Sequence, residues 1–329
     1  MMHAGSVPTL ADCPTWFLFA VLVPFGLAWG SFLNVVIHRV PRGENVAFPG
    51  SHCPACGASI RAWNNVPVLS YLLLRGKASC CGAKISPRYA LVELLGGLLA
   101  AAVLQLIVLE LPGETSLGWA ALVFLDYFSV GLTLLALTFI DFEYMLLPDS
   151  LTLGGAFLGL VSAPVRGMSW VDSLIGGAAG FAIIYLPFDW LHRRLRGYPG
   201  MGLGDAKLLL LSGTWFGYAG ALFGLFAGAV QATLVTFAVY FAKGTLEEPE
   251  AIVKEREELE RAIAEAEGAE REELERERDL DPAMHEPEQG LAKARVPFGP
   301  FLALATLEYG LFERWGLGAA LDALFHPFA

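Results

Sequence analysis

The chain has 329 residues, of which 55% are hydrophobic and only 17% charged, and its mean hydropathy of +0.53 lies far above that of soluble domains. Eighteen of the 33 acids but only six of the 22 bases fall between Glu247 and Glu288, so that one segment carries the acidic balance. The remaining bases are too few and scattered for a nucleic-acid platform, and the composition excludes an ordinary soluble globule in favour of a lipid bilayer.

A helix needs about 20 mostly apolar residues to cross a bilayer core and satisfies its own backbone there. The apolar runs predict an all-α polytopic membrane protein with about eight transmembrane helices: Trp16 to Ile37, Leu91 to Leu109, Trp119 to Ile140, Leu151 to Pro164, Leu174 to Trp190, Ala206 to Tyr218, Ala221 to Phe241 and Phe298 to Trp315. The fourth and sixth are short. A cleaved secretory signal is the competing reading of the first run, but no basic region precedes it and His38-Arg39 follows it, which favours a retained anchor. Seven bases lie between Arg39 and Arg88, three between Arg193 and Arg196 and nine between Lys243 and Arg295, whereas Arg166 stands alone in a loop on the opposite side. The positive-inside rule then places the N-terminus outside and every basic connection in the cytoplasm. The expected organisation is a first helix over residues 1–38, a small cytoplasmic cysteine-containing loop domain over 39–90, a membrane core over 91–242, an acidic cytoplasmic insertion over 243–295 and a last helix with its tail over 296–329.

Cys53, Cys56, Cys80 and Cys81 all fall in that first cytoplasmic loop, where disulfides are disfavoured. Cys53-Pro54-Ala55-Cys56-Gly57 is a turn suited to placing two thiolates on one tetrahedral metal, and Cys81-Gly82 looks like a second knuckle. Alanine stands at 78, where a regular zinc ribbon carries its third cysteine, and Cys80 is a substitute by an adjacent-ligand geometry. Structural zinc and free thiols stay open as two readings. A closed, sulfur-rich site would stabilise the loop rather than catalyse.

Acids at membrane segments are costly and by default functional. Asp141 closes the third span, and Asp205 follows Gly200-Met201-Gly202-Leu203-Gly204 at the start of the sixth. Both are expected at cytoplasmic ends and thus at one depth. Two neighbouring carboxylates do not both ionise cheaply, so one stays protonated near neutral pH, the arrangement of aspartic proteases. Glycines 200, 202 and 204 admit backbone conformations closed to other residues. Asp149 after Pro148 reads as a helix N-cap, and Lys207 as a boundary lysine reaching toward water. No acid is expected at mid-span, which argues against a transporter.

In sum, Gly30-Ser31-Phe32-Leu33-Asn34-Val35-Val36-Ile37-His38-Arg39, the Cys-Pro-x-Cys loop, Arg61-Ala62-Trp63-Asn64-Asn65-Val66-Pro67, Ile85-Ser86-Pro87-Arg88-Tyr89, Leu91-Val92-Glu93-Leu94-Leu95, both aspartate motifs and Val296-Pro297-Phe298-Gly299-Pro300-Phe301 resemble, in order, the motifs of the bacterial prepilin peptidases, or type IV leader peptidases. Asp141 and Asp205 match the two catalytic aspartates, and Asp149, Gly202, Gly204 and Lys207 the positions around them. The resemblance implies a multi-pass enzyme of the bacterial inner membrane with its active site facing the cytoplasm. Such an enzyme cuts the basic leader from type IV prepilins and type II secretion pseudopilins after a glycine, with no cofactor for the peptidase step. It further implies methyl transfer from S-adenosylmethionine to the new N-terminus, with Gly76 matching a loop glycine of that step. Glu143 stands where many relatives have aspartate. A noncatalytic scaffold of a pilus or secretion machine, and a methyltransferase with an inert peptidase, are the competing functions.

The segment from Thr245 to Gln289 departs from the family plan. Glu257 with Arg261 and Glu272 with Arg276 favour a solvated helix or hairpin, and Ile252, Leu259 and Ala266 form a thin stripe seven apart. Its net charge of −12 suits contact with basic leader peptides.

Overall fold

The computed structural model describes residues 7–53, 55–196, 201–243, 250–280 and 297–312. Among these the secondary structure is helical, with three isolated bridges and no β-strand. The helices are α1 (Thr15–Arg39), α2 (Leu69–Leu73), α3 (Pro87–Val103), α4 (Leu117–Tyr144), α5 (Asp149–Ser162), α6 (Trp170–Ile184), α7 (His192–Arg196), α8 (Leu203–Lys243), α9 (Glu250–Glu265), α10 (Ala269–Leu280) and α11 (Gly299–Phe312). Five stretches are long and apolar enough to cross a membrane: Thr15–Arg42, Pro87–Val108, Leu117–Tyr144, Trp170–Leu195 and Leu203–Ala242.

Five stretches of that length, not eight, occur among the described residues, and the differences are local. The two runs expected on either side of 219 appear within α8, where the non-helical Gly217 (φ 68°) parts them and the chain folds back: a Cβ on Gly224 would stand 3.5 Å from Ser212 Oγ and 3.7 Å from Leu209 Cδ2. The 14 residues of α5 reach about 21 Å at 1.5 Å per residue, short of a core of about 30 Å. The last run appears as the 14 residues of α11, and its expected end at Trp315 lies outside the described residues.

The described chain divides into two compact units, and α4 contributes to both, its residues up to Ala136 to the first and from Leu137 to the second. In the first unit α1 packs on α3 through small residues. A Cβ added to Gly26 would stand 2.5 Å from the Gly96 carbonyl oxygen, and one on Gly30 would stand 2.8 Å from the Glu93 Cα. Side chains are excluded where the two backbones meet, as in small-xxx-small membrane contacts. Ser86 caps α3 by accepting from the Arg88 amide, with Pro87 at the first helical position. The same unit corrects two expectations. Asp126 is a buried acid within the α4 span, and it accepts from Arg166 at 2.7 Å with both side chains only 3% exposed. Arg166 is thus the partner that makes an intramembrane carboxylate tolerable.

In the second unit α6 packs on α8 by the same device: a Cβ on Gly176 would come 2.4 Å from the Gly213 carbonyl oxygen, and one on Gly180 2.3 Å from that of Leu209. Beyond Ile184 the helix widens into π-type turns over Tyr185–Leu191, where Pro187 removes a backbone donor. The insertion folds as α9 and α10, joined at Gly268 in a left-handed conformation. The Glu257–Arg261 pair forms at 3.3 Å. The more buried side chains of α9 are Arg256 and Ile263, with Leu259 and, just past the helix, Ala266 half-buried, while the side chain of Ile252 is not among those described.

Candidate active site

Pro148 stops α4 and starts α5. Just before it, Met145 adopts a left-handed φ of 47° and its amide closes on the Asp141 carbonyl at 2.9 Å. Asp141 sits one turn from that end, buried at 6% exposure. Its carboxylate accepts from the backbone amide of Gly299, at the start of α11. A Cβ on Gly299 would lie 2.6 Å from Asp141 Oδ2 and 3.1 Å from Leu147 Cδ1. The buried Leu147 also fills the space over Gly204, where an added Cβ would meet it at 3.0 Å. Leu147 thus seats the first turn of α8 and the start of α11 against the end of α4. All of these residues belong to the second unit.

Asp205 is the third residue of α8, partly buried, and its carboxylate lies within electrostatic range of Asp141. Its amide closes a turn on the Gly202 carbonyl at 3.2 Å, and a Cβ on the exposed Gly202 would stand 4.0 Å from Asp205 Oδ2, at ordinary contact. The geometry therefore brings together the two aspartates that sequence reasoning selected. It also corrects the reading of Lys207. Rather than ending in water, its ammonium donates to Asp149 Oδ1 at 2.5 Å, tying α8 to the start of α5 across 58 residues of sequence. Gly299 is the site residue that sequence reasoning did not select, although the Val296-Pro297-Phe298-Gly299-Pro300-Phe301 motif was its signal.

The cysteines form a separate cluster in the first unit. The Sγ atoms of Cys53, Cys56, Cys80 and Cys81 all lie within 4.8 Å of one another, with Cys53–Cys81 at 3.7 Å and Cys56–Cys80 at 3.4 Å. Four sulfurs around a zinc ion at about 2.3 Å stand about 3.8 Å apart, so the set fits the metal. Ala78 does not prevent this, for a reason visible in the backbone. In the first knuckle Cys53 donates to Ala58 at 2.9 Å and Gly57 to Cys53 at 2.8 Å; in the second Ala78 donates to Ala83 at 2.8 Å and Gly82 to Ala78 at 2.8 Å. Gly57 and Gly82 share a φ of 71°. Ala78 thus occupies the place of Cys53 and Cys81 that of Cys56, while Cys80, two residues on from Ala78, supplies the fourth sulfur. The amides of Ala55 and Cys56 aimed at its sulfur pull the Cys53 thiol down to about 7. Hydrogen bonding to Cys56, with burial, pushes Cys80 up to about 12.

Gly76 ends the turn after α2 with a φ of 67°, and a Cβ there would lie 3.0 Å from the Tyr71 hydroxyl. Position and conformation both call for glycine.

Two family models match in chain order: the bacterial peptidase A24 N-terminal domain over residues 24–107 and the type IV leader peptidase family over residues 128–237. A prepilin leader peptidase/N-methyltransferase of Burkholderia pseudomallei (strain 1026b) is 37% identical over 241 residues, covering 65% of this chain and 74% of the relative. The chain belongs to the type IV leader peptidase family. Proteins of the same name from Aeromonas hydrophila (39% identical over 234 residues, 64% and 77% covered) and Neisseria gonorrhoeae (35% over 258 residues, 68% and 86%) show the same relationship. No solved structure matches. Within this peptidase the N-terminal family model takes in the cysteine cluster and Gly76, and the leader peptidase model takes in both aspartates.

Proposed function

We propose that this peptidase removes the leader of type IV prepilins and type II secretion pseudopilins after a glycine, at the cytoplasmic face of the bacterial inner membrane, with Asp141 and Asp205 as its catalytic pair. The observation that carries this reading is the junction of the α4 end and the α8 start, where the two carboxylates lie within electrostatic range of each other and the Gly299 amide holds one of them. Two such groups share a proton rather than both ionise. The ionised member takes a proton from water, whose oxygen attacks the scissile carbonyl carbon, while the protonated member donates to the carbonyl oxygen. Collapse of the tetrahedral adduct passes a proton to the leaving amine, and no covalent intermediate is needed.

A prepilin presents an apolar helix in the bilayer with a charged leader outside it, so its scissile bond sits at the interface. Asp141 lies four residues from the C-terminal end of its span and Asp205 three from the N-terminal end of its own, as a cut at that depth requires. Eight crossings, with α8 counted as two about Gly217 and with α5 and α11 as short ones, put these two span ends on the cytoplasmic side under the positive-inside rule.

The second activity is transfer of a methyl group from S-adenosylmethionine, as co-substrate, to the new N-terminal amine. Its support is the name shared by the relatives and the Gly76 turn. Zinc bound by Cys53, Cys56, Cys80 and Cys81 would supply structural closure of the loop, tying its two knuckles together.

Mass spectrometry of a full-length prepilin incubated with the purified protein and S-adenosylmethionine tests both activities. Loss of the leader with a mass gain of one methyl on the mature product is expected. Intact prepilin from several cognate substrates would overturn the assignment in favour of a scaffold.

A further inference from the structure

The loop between α1 and α3 holds a helix turned inside out. In α2 the apolar Leu69, Leu72 and Leu73, spaced to share one face, are 52%, 64% and 73% exposed. Its polar Ser70, half-buried, turns back on the preceding segment, where Oγ accepts from the Val66 amide at 2.9 Å and donates to the Trp63 carbonyl at 3.3 Å. Trp63 and Val66, just before the helix, are also exposed, at 69% and 42%. A five-residue helix in water would turn its leucines in and its serine out.

Two observations state what covers this face. Val68, at the α2 N-cap, holds a positive φ of 60° that β-branched residues avoid, and its amide donates to Glu93 Oε2 at 2.6 Å. Glu93 lies on α3, six residues past Pro87, so roughly 9 Å into a membrane-spanning helix. Its neighbours Leu91 and Leu94 are themselves 48% and 45% exposed on that span. The strained start of α2 is therefore fastened at the level of the bilayer. The second observation is charge. Residues 39–90 contain seven bases and one acid, Glu44, and Arg61, Arg75 and Lys77 flank the leucine segment in the chain. An exposed apolar face within a strongly basic segment matches the acyl boundary and the anionic headgroups of a membrane surface.

We infer that the segment from Trp63 to Leu73 is a membrane-interface anchor, its leucine face seated in the acyl boundary of the anionic leaflet and held there by the Glu93 carboxylate. The loop is then fixed to the bilayer at α2, and the Gly76 turn, whose amide donates to the Tyr71 carbonyl at 2.9 Å, is carried by a lipid-seated element.

The test is photocrosslinking of the full-length protein in nanodiscs of phosphatidylethanolamine and phosphatidylglycerol. The probe p-benzoylphenylalanine replaces Leu69, Leu72 or Leu73 in turn, with the exposed Glu255 of α9 as the control site. Lipid adducts are expected by mass spectrometry at the three leucine positions and not at Glu255. Yields should fall severalfold when Glu93→Leu removes the acceptor of the Val68 amide but not with Glu93→Gln, which keeps one. Adducts at the leucines with an added prepilin or with another segment of this chain in place of lipid would overturn the inference, as would lipid adducts no more abundant there than at Glu255.

Discussion

Gly299→Ala isolates the contribution of one backbone contact to the paired aspartates. The new Cβ would stand 2.6 Å from Asp141 Oδ2, where ordinary contact begins at 3.4 Å, and Leu147 Cδ1 at 3.1 Å blocks retreat on another side. The carboxylate must therefore move by about 0.8 Å or the start of α11 must lift, and either stretches the hydrogen bond from the Gly299 amide. A hydrogen bond to a charged group contributes about 1.5–3 kcal/mol, which as a barrier change is roughly 10- to 150-fold in rate. Misplacement of a reacting group by about 1 Å costs a similar factor. The expected result is a fall of that size in kcat/KM for leader removal. Gly154→Ala is the matched control, because nothing lies within 4 Å of the added Cβ in the α5 interior. It should leave kcat/KM unchanged and stabilise slightly through helix propensity. If Gly299→Ala keeps kcat/KM within about twofold of the parent, the Gly299 amide does not position Asp141 for the reaction.

Other consequences can be checked separately. Cys80→Ser should cut bound zinc, measured by elemental mass spectrometry, as severely as Cys53→Ser does, and Ala78→Cys added to Cys80→Ser should restore it, because Ala78 occupies the Cys53 position of its knuckle. With Cys80 held up at about 12 the metal-free cluster enters neutral solution largely protonated, so loading releases protons and affinity rises with pH, as calorimetry in buffers of different ionisation enthalpy would show. Gly213→Ala, whose Cβ would come 2.1 Å from the Gly176 carbonyl oxygen, should lower stability in detergent by about 1–3 kcal/mol; an unchanged melting temperature would contradict the close approach of α6 and α8. Deleting residues 248–288, which carry much of the acidic excess, should raise KM for a basic-leader substrate at low salt and not at high salt.

What the sequence made legible follows from which forces are local. Apolar runs exceed the bilayer length whatever they pack against, so the five long helices and the break at Gly217, expected within a few residues of it, were readable. That Asp141 and Asp205 stand at the ends of apolar helices was readable from the same runs. Contacts between distant residues left no periodic trace. The Lys207–Asp149 pair, the Gly299 amide on Asp141 and the Arg166 partner of Asp126 each join separate elements. Asp126 passed unnoticed because the surrounding α4 sequence is apolar enough to carry one acid without losing its hydropathy. The π-type turns over Leu104–Val108 and Tyr185–Leu191 were also invisible, since they keep the residues of a helix and change only its hydrogen-bond step. The cysteine cluster shows the reverse case: spacing alone counts Ala78 as a defect, yet the Cys80 sulfur lies within 4.8 Å of the other three.

The central claim is that Asp141 and Asp205 act as one unit. The most direct measurement is the single-turnover rate of leader removal by Asp141→Asn, Asp205→Asn and the double variant, each checked for unchanged melting. A shared-proton pair predicts that either single change lowers the rate by roughly 100- to 10,000-fold, and that the double variant is no slower than the singles. A single variant retaining most of its activity, or a double variant slowed by the product of the two effects, would contradict it.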